Sequence, residues 1–300
     1  MMPARELRVF YSTAYSPPSQ PSLQRLELAA RLLERRGLGQ LQAPRAIERA
    51  ALHGLHSDQY LQAFYDGVEP LASSQGVPWS PDLRDASLAM LGGQLEGAQH
   101  ALHSGIAMNL ARGFHHAVYA RGSGFCALNG LALLAHALPE RRIAVLDCDE
   151  HGGNGTEEFA ARLDNLYAVS VFGTRFGCYG GTRSWAFPVR VREQGFGSYL
   201  QALRQGIEII NGCRPDLLVY QAGVDCHGDD PKNQAGLSTR ELFQRDLFVF
   251  KAAGLLQLPV LFLVGGGYQR ARRVAQLNLN TIVAAHTALG LSRRGAGQRP

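Results

Sequence analysis

The sequence predicts a single α/β domain in three layers, a mostly parallel central sheet covered by helices on both faces. Three observations predict it. Ile143-Ala144-Val145-Leu146 and Leu217-Leu218-Val219-Tyr220 are unbroken apolar runs, the pattern of strands buried on both faces rather than on one. Such runs alternate with helix-like segments along nearly the whole chain, as βα units require. No repeat, low-complexity linker or charge block divides the 300 residues. Residues 1–291 therefore read as one domain, and 292–300, rich in Arg and Gly, as a disordered tail.

In chain order, residues 7–12 read as a strand and 22–37 as a helix stopped by Gly37. Helices follow at 58–66 and 82–103, then a short strand at 106–110 and a helix at 127–138. Strand 143–149, a short helix near 156–162 and strand 166–172 form the middle. The last part reads as helix 197–212, strand 217–223, helix 238–256, strand 259–264 and helix 269–289.

At 46% hydrophobic and 18% charged, the chain has the composition of a soluble protein with an ample core. No apolar run approaches a membrane span, and the N-terminus passes into its first strand without a secretory apolar region. Five cysteines, an odd number without CxxC spacing, point to a reducing, cytoplasmic compartment. The net charge of +5 comes from scattered arginines rather than a stripe interleaved with aromatics, which argues against a nucleic-acid partner.

The chemistry concentrates at strand ends. Asp147-Cys148-Asp149-Glu150-His151 closes one buried run, and Asp225 follows another. Side chains two apart on a strand point the same way, so Asp149 and His151 converge beyond its carboxyl end, where open α/β sheets place their ligands. Two carboxylates and one imidazole leave coordination positions open, the pattern of a catalytic metal, and their O and N donors suit zinc or ferrous iron. Taken alone, Asp225 reads more readily as a helix cap. Gly113-Phe114-His115-His116-Ala117, Gly124-Phe125-Cys126 and Gly265-Gly266-Gly267-Tyr268 occupy further strand-to-loop boundaries, and the ordered set carries the signal.

That ordered set resembles the zinc-dependent histone deacetylase and acetylpolyamine amidohydrolase superfamily, over nearly the whole chain. The runs Gly92–Leu95, Gly105–Leu110 and Gly265–Arg273 are most similar to class IV histone deacetylases. The resemblance implies an arginase/deacetylase-like fold and a hydrolase of acyl amides. It implies metal ligands at Asp149, His151 and Asp225, a general base at His116 with His115 as its electrostatic partner, and a transition-state donor at Tyr268. It also implies partners for the two histidines at Asp147 and Asn154, an acyl channel at Gly124 and Phe125, and a structural potassium ion near Asp147, Ser170 and Val171. The substrate implied is an acylated lysine in a protein or peptide, long acyl chains included, or else an acylated polyamine or other small amine. For Phe125 the competing expectation is ordinary core packing.

The chain departs from the family at three places. Gly152 stands where relatives carry a larger side chain, leaving room near the metal together with Gly177, Gly180 and Gly181; Lys232-Asn233-Gln234-Ala235 lengthens a loop; and Ser16–Pro21 lacks a His-Pro pair. The opposing expectation is that Phe125, Tyr179 or Trp185 closes the channel floor. A dinuclear ureohydrolase needs carboxylates where this chain has Gly153 and His227, and His227 reads as a loop or rim residue. A non-catalytic binding module would have no use for the complete set.

Overall fold

The computed structural model describes residues 6–293, so most of the expected tail lies outside the described residues. Among them are eight strands: β1 (Arg8–Phe10), β2 (Gln40–Gln42), β3 (Ile106–Arg112), β4 (Ile143–Asp147), β5 (Leu166–Phe172), β6 (Ser184–Pro188), β7 (Leu217–Ala222) and β8 (Val260–Val264). They form one sheet in the order β2-β1-β3-β8-β7-β4-β5-β6, and every pairing is parallel. β4, β7 and β8 are buried at every position. Alternate side chains face opposite sides, so both faces are covered, as the unbroken apolar runs required.

The helices are α1 (Gln24–Arg35), α2 (Asp58–Asp66), α3 (Pro81–Ser104), α4 (Gly130–Ala137), α5 (Asn154–Arg162), α6 (Val191–Gln194), α7 (Phe196–Cys213), α8 (Thr239–Leu255) and α9 (Ala271–Leu289). α1, α9, α8 and α7 pack in succession, as do α3, α4 and α5, giving helical layers around the sheet. Local chemistry sets several of their ends. Ser80 caps α3 by accepting from Leu83 N, with Pro81 at the first helical position and left-handed Gly105 closing the helix. Ser238 and Glu241 form a capping box at the start of α8.

The expected strands and helices are present with ends shifted by a few residues, but β2 and β6 and the short helix α6 escape the sequence pattern. β2 is Gln-Leu-Gln, and β6 ends in Pro188. Both lie at the sheet edges and are only partly buried, so no apolar run marks them. The chain runs outward to each edge before β7 and β8 return to the centre. This reversal brings the ends of β3, β8, β7 and β4 side by side.

Candidate active site

β4 stops at Asp147, so Asp149 and His151 stand in the following loop rather than on the strand. Backbone amides hold them there. Asp147 Oδ1 accepts from Asp149 N at 3.1 Å, and Asp149 Oδ1 accepts from His151 N at 3.1 Å. Across the sheet, Glu150 N donates to Asp225 Oδ1 at 3.0 Å, and Gly266 N to Asp149 Oδ2 at 2.5 Å. The β8 end comes this close because Gly266 has no side chain; a Cβ there would overlap Asp225 Oδ2.

One donor atom each from Asp149, His151 and Asp225 lies within 4.8 Å of the others. His151 Nδ1 is 3.3 Å from Asp149 Oδ1 and 3.3 Å from Asp225 Oδ2. Asp225 is fully buried, and its Oδ2 has no hydrogen-bond donor. Burial and the charge of Asp149 raise the Asp225 pKa. Burial also opposes charge on Asp149, but His115 and His151 outweigh it and hold that carboxyl well below the usual range. Two crowded carboxylates, an imidazole nitrogen between them and an orphaned buried oxygen fit a divalent cation. Positions 153 and 227 add no carboxylate, and no second cluster of this kind occurs among the described residues.

The two histidines follow β3 and stack with centroids 3.9 Å apart, in different environments. His115 Nδ1 lies 2.6 Å from Asp147 Oδ2. Burial disfavours its cation, but Asp147 and Asp149 outweigh burial and raise its pKa. His116 Nδ1 lies 2.7 Å from Asn154 Oδ1, a neutral acceptor. Burial and the neighbouring His115 push its pKa well down. Both effects favour the neutral ring, and with Asn154 Oδ1 as the acceptor the proton belongs on Nδ1, leaving Nε2 to accept. Burial, Asp225 and Asp149 raise the Tyr268 pKa, so its phenol keeps its proton and can donate.

Gly124 has φ 51° and packs directly on the His116 ring, where a Cβ would overlap. Phe125 is half-buried and faces Tyr268 with centroids 6.3 Å apart, so ordinary core packing does not account for it. Both line openings at the site: Gly124 the narrow space over Asp149, and Phe125 a cavity of about 500 Å³ whose apolar wall includes Leu23, Val77, Leu83 and Met90. Arg112, Phe114 and Tyr268 line both spaces.

Three expectations need correction. Gly152 does not open room beside His151, because a Cβ there would meet Cys178 Cβ at 2.5 Å and Arg175 O at 2.6 Å. His227 does stand in the loop after β7 but is 3% exposed, so not at the rim; its Nδ1 accepts from Asp229 N and its Nε2 lies 2.9 Å from Thr239 Oγ1. Tyr179 is 71% exposed beside Arg175, and Trp185 sits on edge strand β6, so neither closes a channel floor.

Sequence reasoning missed three other participants. Phe176, 41% exposed, lays its ring 4.0 Å from that of His116; nothing in Thr174-Arg175-Phe176-Gly177 marks it. Glu150 is fully buried and accepts from Thr174 Oγ1, Gln234 N and Ala235 N, tying two surface loops to the ligand segment. Its place between Asp149 and His151, facing the opposite way, was the available signal. Arg25, buried on α1, donates to Gly265 O at 3.1 Å and to Gly267 O, bracing the loop before Tyr268. An arginine among the apolar positions of that helix could have flagged it.

A model of the histone deacetylase domain matches residues 19–285. An uncharacterized protein of Picosynechococcus sp. is 32% identical over 265 residues, 85% of this chain and 85% of its own. Histone deacetylase 2 of Arabidopsis thaliana is 29% identical over 214 residues, 68% of this chain and 53% of that protein. The crystal structure of acetylpolyamine aminohydrolase from Burkholderia pseudomallei superposes with a TM-score of 0.78, over 95% of this chain and 99% of its own, at 18% identity. That last likeness establishes the three-layer arginase/deacetylase-like fold.

Proposed function

The chain belongs to the histone deacetylase family, and from that membership we propose a metal-dependent deacylase that hydrolyses the amide of N-acyl-lysine, long acyl chains included. The observation that carries the reading is the juxtaposition of Asp149, His151 and Asp225 with an amide-paired and a carboxylate-paired histidine at the carboxyl ends of the central strands.

Asp149, His151 and Asp225 would hold zinc or ferrous iron, which when bound polarises an amide carbonyl and acidifies water. His116 Nε2 then takes the water's proton and returns one to the departing amine. Asn154 keeps the His116 tautomer that makes this transfer feasible. His115, paired with Asp147, supplies positive charge beside the developing oxyanion, and Tyr268 donates its phenol proton to that oxygen in a hydrogen bond. Phe125, Phe176 and Gly124 flank the acyl-lysine stem. A structural potassium ion near Asp147, Ser170 and Val171 belongs to the same reading, as do the class IV resemblance and a cytoplasmic location. All five cysteines are unpaired, and no helix among the described residues is long and apolar enough to cross a membrane.

Support for long acyl chains now rests on the apolar cavity beside Phe125 and Tyr268 rather than on Gly152. Its volume lies within the usual range of ligand pockets. Each methylene buried there contributes up to about 0.8 kcal/mol. The test is a panel of acetyl-, butyryl-, octanoyl- and myristoyl-lysine peptides beside acetylated polyamines. Octanoyl or longer chains should give higher kcat/KM than acetyl. Efficient deacetylation with no turnover beyond butyryl rejects the long-chain reading, and preference for the polyamines rejects lysine as the amine.

A further inference from the structure

Lys232 belongs to the lengthened loop and stands at the mouth of the site. Its ammonium is 4.9 Å from the centroid of Phe125 and 4.8 Å from that of Tyr268. Among the described residues it forms no ion pair, so its positive charge is uncompensated by any carboxylate in contact. The placement is built into the fold. Buried Asp230 accepts from Lys232 N at 3.0 Å through one oxygen and from Tyr268 N at 2.7 Å through the other. Buried Glu150 holds Gln234 N and Ala235 N further along the same loop. Two inward-facing carboxylates thus fix a backbone that turns a lysine toward the reaction centre.

The neighbouring groove carries the same sign. Arg175 and Arg190 line it together with Glu193, Phe176 and Gln234, two cations to one carboxylate. Arg190 is paired with Glu193 at 3.3 Å, whereas Arg175 donates only to a main-chain oxygen, that of Cys178, and lies beside Phe172 and Tyr179. Asp229 is the exposed acid nearest in sequence, and its Oδ2 lies 3.7 Å from His227 Nδ1.

We propose that Lys232 sets charge specificity at the entrance, favouring acyl-lysine flanked by carboxylates and disfavouring polycationic acyl amines. The inference rests on the deacylase reading and narrows its substrate class. A cation at the mouth attracts or repels flanking charges before and during binding, while the scissile amide sees the same catalytic groups in either case.

The test compares the wild-type protein with Lys232→Met, which keeps an apolar side chain of similar length against the rings, and Lys232→Glu, which reverses the charge. The substrates are two acyl-lysine peptides that differ only in flanking glutamates or arginines, with an acetylated polyamine as a third. For one charge pair near the surface, the wild-type ratio of kcat/KM, acidic over basic, should be about threefold to tenfold. It should approach unity in Lys232→Met, invert in Lys232→Glu with a gain for the polyamine, and shrink at high salt in the wild type. The same ratio in all three proteins, with hydrolysis intact, overturns the role of Lys232 alone. Absence of any hydrolysis by the metal-loaded wild-type protein overturns the deacylase reading and this inference with it.

Discussion

The bed of the site and its mouth are held by different forces. In the bed, buried groups answer one another in pairs: His115 with Asp147, Asp147 with Gln221, His116 with Asn154, Asp149 with the amides of His151 and Gly266. At the mouth, Phe176 and Lys232 are exposed and meet ring faces rather than matched donors and acceptors. A displaced polar group in the bed leaves a buried partner unsatisfied, whereas a displaced ring at the mouth loses contact area that water can cover. The geometry of the candidate site is therefore fixed by paired buried groups at the central strand ends, and in the proposed reading substrate preference falls to side chains on loops.

The strongest way to break this comparison is Asp225→Ala. Stoichiometric divalent metal should be lost on purification and hydrolysis with it, while far-UV circular dichroism stays native; retained metal, measured by plasma mass spectrometry, would show that the bed is misassigned. Next come His116→Ala and Tyr268→Phe. The first should lower kcat by about 10²–10⁴-fold as a lost general base, the second by about 10²–10³-fold as a lost oxyanion donor, both with metal content unchanged. Near-normal turnover in either variant removes that residue from the mechanism. The smallest effect is expected at the mouth. Phe176→Ala should cost about twofold to tenfold in kcat/KM, the scale of one aromatic contact. A loss as large as that of His116→Ala would erase the distinction between the two regions.

How much of this was legible in the sequence follows the same division. β4 and β7 are written as apolar runs because both of their faces are buried, and Asp149, His151 and Asp225 lie just beyond where those runs stop. Phe176 is not legible, since a ring on a surface loop reaches His116 only through the tertiary path of that loop. Nor is the filling of the space beside Gly152: a missing side chain reads as room, yet Cys178 and Arg175 come from a separate segment to occupy it. His227 shows the converse. With no carboxylate to offer it reads as a loop or rim residue, and the packing of Thr239 and Arg273 around it makes it interior.

The insertion of β7 between β4 and β8 also orders events during synthesis of the chain. β4, β5 and β6 are made consecutively and can pair as they emerge, but β4 then presents an open edge until residues 217–222 arrive. Asp149 gains its amide from Gly266 later still, after β8 docks on β7. The geometry of the candidate metal site is thus completed only after the last central strand has been made. On the metal-dependent reading proposed above, ion capture becomes a step that follows assembly of the sheet.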